Sequence, residues 1–429
     1  MATTNAILKW SRIKQLKRVS HYLCMGIQTQ DSESENEPST SERDPLFRSG
    51  YLTHFPSQPR IFYTIDDKVE VGEMAGVLFS RAGRLLFFIC FSLYLFGDLS
   101  IYAVAIGKSL VDAVCSFENM TDPLPLNATK CWPDLPYTRQ DAYRGFLVCF
   151  LLIFGPFAFF NVQKTKYLQL ITSCTRWLAF ITMITLAIRR LLDPSLPHGQ
   201  PKSVVVSGFP TLLGSCIYSF MCHHSLPSLL SPISNKTGLF RILAADYILV
   251  MTFYIVLAVS AVFSFPQLQP LYTLNFVPEI GNRDAMEIVD YFLMLFPVLT
   301  LTASFPVIVV TLRNNLQAIL APHSSWYYRQ ILMPLLAVIP PVLLAMMTDN
   351  LDILVGVTGS YAGAGIQYLI PAFLVLSARS IKPNELRSLP NNFASPFLSK
   401  FWPILVICWA LICIIFVTFN IVKKYMNLF

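Results

Sequence analysis

The stretch SGFPTLLGSCIYSFMCHHSLPSLLSPI, residues Ser207–Ile233, gathers most of the side chains that could do chemistry in this sequence. It holds two adjacent imidazoles, His223 and His224, with Cys222 and the hydroxyls of Ser219 and Ser225 beside them. A histidine can act as a general base or as a metal ligand. Successive residues of a helix point about 100° apart, so His223 and His224 do not readily share one ion. No Cys, Asp or Glu cluster joins them, and the reading is that no metal is bound. No nucleophile motif accompanies them either, so an enzyme using one of them as a base is the weakest reading. What remains is unusual backbone. Gly208, Pro210, Gly214, Pro227 and Pro232 all fall within a segment apolar enough for a membrane.

The elements that must position these residues follow from composition. Of 429 residues, 54% are hydrophobic and 13% charged, and 33 are Phe. A soluble domain of this size carries about twice that charged fraction. The composition therefore excludes a soluble enzyme, and the net charge of +7 reads as loop orientation rather than nucleic-acid binding. A helical span needs about 20 apolar residues. Nine segments qualify: Leu85–Ile106, Tyr143–Val162, Leu168–Ile188, Val204–Leu230, Leu243–Phe265, Ile288–Thr311, Ile331–Met347, Leu351–Ser377 and Pro403–Val422. The class is an all-α polytopic membrane protein, with the lipid bilayer as its first partner.

The 27 residues of Ser207–Ile233 would make a helix of about 40 Å, against about 30 Å of hydrocarbon. Two half-helices with an unwound middle near Met221–Ser225 fit better. Ser225 is then expected to cap the second half, with Pro227 in its first turn. Unwound carbonyls and N–H groups are tolerated in a membrane only around a protein-lined cavity. The positive end of the second half-helix would favour a carboxylate there. A kinked helix absorbed by its neighbours is the bland alternative. Farther on, Gly359 and Gly363 have the spacing that lets helices approach closely, with substrate contact through bare backbone as the alternative. Thr302 and Ser304 carry oxygens that could hold Na⁺, or bond their own i−4 carbonyls. Asp98 and Arg176 are charges inside predicted spans and are candidates on that ground.

Residues 1–80 read as a cytosolic tail, largely disordered, with the acidic, serine-rich run Gln30–Asp44 at its centre. The loop at about 107–142 reads as lumenal. It carries glycosylation acceptors at Asn119 and Asn127, and Cys115 and Cys131 suit a disulfide in an oxidising compartment. A third acceptor, Asn235, then falls on the cytosolic side. The chain is an integral multi-pass protein, and plasma membrane and endosomal or lysosomal membranes are not distinguished.

YSFMCHHSLPSL, the glycine-rich span ending in IQYLIPAFLV, and the span ending in SFPVIVVTLRNNL together resemble the amino acid/auxin permease family, on a branch related to sodium-coupled neutral amino acid transporters. FGDLSIYA, VQKTKYLQ and YTLNF fit the same branch. The resemblance covers roughly residues 60–425. It implies an eleven-helix inverted-repeat fold, with these nine spans resembling helices 3–11 and Ser207–Ile233 the broken sixth. The first two helices of that fold are not recognisable here, so a shortened form, whose transport requires them, is the expectation. The resemblance implies transport of a small amino acid, with Na⁺ or H⁺ as coupling ion and no other cofactor. Ser219, Cys222, His223, His224 and Ser225 are the candidate substrate residues, and Thr302 and Ser304 the candidate cation residues. A non-transporting membrane sensor or scaffold, using the acidic tail to dock a partner, is the rival.

Overall fold

The computed structural model describes residues 70–426 apart from 116–128, 133, 161–165, 203–204, 237, 270, 277–286, 321–324, 382–394 and 396. The acidic run and the two acceptors expected to be lumenal, Asn119 and Asn127, lie outside these. The described part of the stretch assigned to the tail contains a helix, α1 (Val71–Leu78). It is followed by α2 (Arg81–Val114), α3 (Arg139–Phe154) with a 3₁₀ extension at Gly155–Phe159, and α4 (Lys166–Leu192). Next come α5 (Phe209–Ser219), α6 (Leu226–Leu230), α7 (Leu239–Ser264) and α8 (Glu287–Leu320). The chain ends with α9 (Met333–Met347), α10 (Leu351–Val357), α11 (Ile370–Ile381) and α12 (Phe401–Met426).

Eight helices among the described residues are long and apolar enough to cross a membrane. The ninth expected span is divided between α5 and α6, neither of which has that length. The protein is thus an integral, multi-pass, helical membrane protein. Its outward faces are apolar, as contact with lipid requires. Ile171, Leu178 and Ile181 of α4 and Ile248, Ile255 and Val259 of α7 are all exposed.

Chain contacts divide the molecule into two units. One contains Cys222–Ser234, Tyr368–Cys408 and the chain up to Arg84; the other contains Leu85–Met221, Asn235–Gln367 and the chain from Trp409. In the first, α1 packs on α11. The guanidinium of Arg379 donates to the carbonyls of Ser399 (2.9 Å) and Phe397 (2.7 Å), tying the end of α11 to the approach to α12. In the second, α8 packs on α4 and α9, and α4 on α7.

The second unit is also fastened at one end of α2. At about 50 Å, this 34-residue helix outruns the hydrocarbon and carries charge beyond it. Lys108 pairs with Asp349 at 3.4 Å, and buried Arg139 pairs with Asp112. Cys115 and Cys131 form a disulfide there, with Cα atoms 4.6 Å apart. The following helix, α3, starts from a capping box: Asp141 N–H donates to the Thr138 hydroxyl at 3.2 Å, and Thr138 N–H to the Asp141 carboxylate at 3.1 Å. Tyr143 of α3 is buried and donates to the Ala345 carbonyl of α9 at 2.8 Å. These side chains join a core built from Ile101, Val104, Leu147, Val342 and Leu354.

Candidate functional site: a broken helix on a glycine-rich partner

α5 opens with Pro210 in its first turn, where a missing N–H costs nothing. It ends at Ser219. Phe220 N–H still reaches the Cys216 carbonyl at 3.3 Å, and Met221 N–H turns back to Tyr218 at the same distance. A turn follows at His223–Ser225. Ser225 and Leu226 N–H groups both donate to the Cys222 carbonyl, at 3.0 and 3.2 Å. Helix resumes only as the five residues of α6. The break therefore falls where the prolines and the length of the segment put it.

Two details differ from expectation. The Ser225 hydroxyl does not cap α6. A capping side chain needs extended backbone to fold over the first amides, whereas Ser225 already has helical angles (φ −98°, ψ −17°). In addition, α6 is little more than one turn, so it lacks the aligned peptide dipoles expected to draw a carboxylate.

Ser219 is exposed on the last turn of α5, its hydroxyl donating to the Ser215 carbonyl at 2.8 Å. Cys222, His223, His224 and Ser225 are half-buried and share the turn. Among the described residues, no group of three or more His, Cys, Asp or Glu could hold a metal ion. Thr302 and Ser304 both lie on α8. Thr302 donates to the Val298 carbonyl and Ser304 to the Thr300 carbonyl at 3.1 Å, each an i−4 bond. A hydroxyl that gives away its hydrogen keeps oxygen lone pairs for a cation.

α5 rests on an irregular helix. Between α10 and α11 the backbone is π-helical at Thr358–Gly363 and again at Gly365–Leu369. Single π turns of this kind interrupt the i−4 ladder and often mark functional places. Gly359 and Gly363 both lie against α5 and its end, and the approach is closest at Gly359. A Cβ on Gly359 would stand 2.2 Å from the Gly214 carbonyl oxygen, and one on Gly363 would lie 3.3 Å from Ile217 and Met221. Close packing is thus the arrangement found for this glycine pair. Helix α2 completes the junction: a Cβ on Gly97 would meet the Thr358 hydroxyl at 2.3 Å.

Beside Gly97, Asp98 is buried and accepts a hydrogen bond from the phenol of Tyr218 on the last turn of α5. Arg176, the other charge inside a predicted span, is exposed on α4 and forms no ion pair with Asp98. Sequence reasoning found Asp98 from its charge but missed Tyr218, Thr358 and Ser360. The only available signal for Tyr218 was a phenol one turn before the break.

The model of the family described as transmembrane amino acid transporter protein matches residues 67–422. The chain belongs to that family. Among its relatives is the Transmembrane protein 104 homolog of Drosophila melanogaster, 43% identical over 380 residues, covering 84% of this chain and 74% of that protein. Transmembrane protein 104 of Gallus gallus is 42% identical over 438 residues, covering 98% of this chain and 86% of the relative. Transmembrane protein 104 of Homo sapiens is 40% identical over 445 residues, with the same two shares. As a member of this family, the chain carries a transporter-type domain over most of its length, with α5, the break and the glycine-rich helix all inside the match.

Proposed function

We propose that the protein acts in secondary transport of a small amino acid across its membrane, with Na⁺ or H⁺ as the coupling ion. The observation that carries this reading is the interruption of one span at Phe220–Ser225, inside a domain of the amino acid transporter family. Freed backbone groups at membrane depth are the device by which secondary transporters hold small charged solutes. An amino acid offers an ammonium and a carboxylate, which suit bare carbonyl and N–H groups respectively.

On this reading Ser219, Cys222, His223, His224 and Ser225 face the substrate, and the oxygens of Thr302 and Ser304 are the candidate Na⁺ ligands. With no catalytic nucleophile or metal cluster invoked, the protein works as a carrier and not as an enzyme. Ser225→Leu tests it: the larger apolar side chain fills the break while leaving the spans unaltered. The variant should reach its membrane and elute as a folded protein, yet take up no labelled amino acid. Uptake at the parent rate would refute a substrate site at the break.

A further inference from the structure

Asp98 sits at the middle of α2, about 25 Å from either end, and only 5% of it is exposed. Its carboxylate accepts one hydrogen bond, from Tyr218. The titratable groups around it are few. Tyr94 and Tyr102 lie one turn away on its own helix and Tyr218 comes from α5. From α4, Arg176 lies close enough to Tyr102 to act on it electrostatically. From the glycine-rich segment, the uncharged Thr358 lies against Gly97 and Ser360 against Gly214. No Lys or Arg among the described residues forms an ion pair with Asp98.

A carboxylate anion at this depth, held by one neutral donor, is costly. A bound metal cation or a proton relieves that cost. Na⁺ requires several converging oxygens, whereas the polar contact shown at this carboxylate is the single phenol of Tyr218. A proton needs only a lone pair of the carboxylate itself.

We propose that Asp98 is a proton-binding site within the membrane, and that Tyr218 links its charge state to the broken helix. The step is a simple protonation: a proton from water forms an O–H bond on one carboxylate oxygen, the charge is neutralised, and no electrons are transferred. The reverse step returns the proton to water. The anion holds the Tyr218 hydroxyl by a charge-assisted bond, and the neutral acid holds it about half as strongly. Tyr218 is next to the last residue of α5, and its carbonyl receives the Met221 N–H where the helix ends. Loading the proton therefore loosens the end of α5 while its middle stays seated against Gly359. This deepens the transport reading, on which it rests, by making the coupling ion a proton.

The test has two readouts. The purified 429-residue protein in lipid vesicles is titrated while the infrared carbonyl stretch of protonated carboxylic acids is recorded. A band should grow on acidification, disappear in Asp98→Asn, return in Asp98→Glu, and move in frequency in Tyr218→Phe. That last variant keeps both the carboxyl group and the ring, so it reports even if Asp98→Asn folds poorly. An unchanged titrating spectrum in Asp98→Asn, or an unshifted band in Tyr218→Phe, overturns the site. In parallel, uptake of a labelled amino-acid mixture is driven by a pH gradient. Asp98→Asn should lose this uptake while keeping exchange of labelled for unlabelled substrate. Gradient-driven uptake that survives Asp98→Asn overturns the coupling role. If no amino acid moves at all while the band behaves as described, the reading of this 429-residue chain as a transporter on its own fails and the proton site stands.

Discussion

Replacing Gly359 by Ala places a single methyl group between two backbones. The added carbon would lie 2.2 Å from the Gly214 carbonyl oxygen, 3.0 Å from its carbon and 3.1 Å from Tyr218 Cβ. To reach even a tight contact of 3.0 Å, α5 and the π-helical segment must part by nearly 1 Å. Neither can yield by rotating a side chain, because the two nearest atoms are main chain and the Tyr218 Cβ is fixed to its backbone. Overpacking of this kind costs about 1–3 kcal/mol. Alanine's better helix propensity returns at most about 1 kcal/mol of that. Gly356→Ala is the internal control. It lies three residues earlier on the same helix, but an added Cβ there meets nothing within 4 Å. Thermal unfolding in detergent, followed by size-exclusion chromatography of the soluble fraction, should show a lower midpoint for Gly359→Ala and an equal or higher one for Gly356→Ala. Equal midpoints for the two variants would refute close backbone contact at Gly359.

Other expectations follow from single features. The Cys115–Cys131 bond closes a loop with a sequence separation of 16, so Cys131→Ser should destabilise the oxidised protein by about 3 kcal/mol, with little further loss on reduction. Glycosidase treatment should increase the mobility of protein made in cells; the shift should vanish in Asn119→Gln with Asn127→Gln and persist in Asn235→Gln. At the end of α4, the Ser195 hydroxyl (2.6 Å) and N–H (3.0 Å) both donate to Asp193, holding its carboxyl below the usual range. A carboxyl lowered on folding stabilises the protein above its unfolded value, and that contribution fades as pH falls through the lower, folded value. Ser195→Ala should therefore raise the Asp193 midpoint toward an ordinary carboxylate in an NMR titration of labelled aspartate.

The legibility of this molecule in its sequence was uneven for physical reasons. Spans were readable because lipid demands long apolar runs, and eight of the nine appear as single long helices. The break was readable because a largely apolar segment of 27 residues, with Pro227 and Pro232, overfills one crossing. The missing Ser225 cap was not, since it depends on the turn at His223–Ser225 having already brought that residue into helical angles. The Asp98–Tyr218 bond joins residues 120 apart, and nothing local to either announces the other. The same holds for Gly214 against Gly359. Glycine spacing predicted a close approach but named no partner, and it gave no sign of the two π-helical segments. For Thr302 and Ser304 both readings were open from sequence, and the i−4 bonds are the ones formed.

The central claim is that the broken span carries an amino acid across the membrane. Flux measures it most directly. The purified 429-residue protein and its human relative are reconstituted separately and offered a mixture of labelled small amino acids, with a pH gradient, a Na⁺ gradient or neither. Saturable uptake is predicted, abolished by Ser225→Leu in whichever protein shows it. Flux in the human protein alone would place a required part of the machinery outside this chain. Saturable binding without flux in both proteins, under every gradient, would contradict the account and leave a membrane sensor in its place.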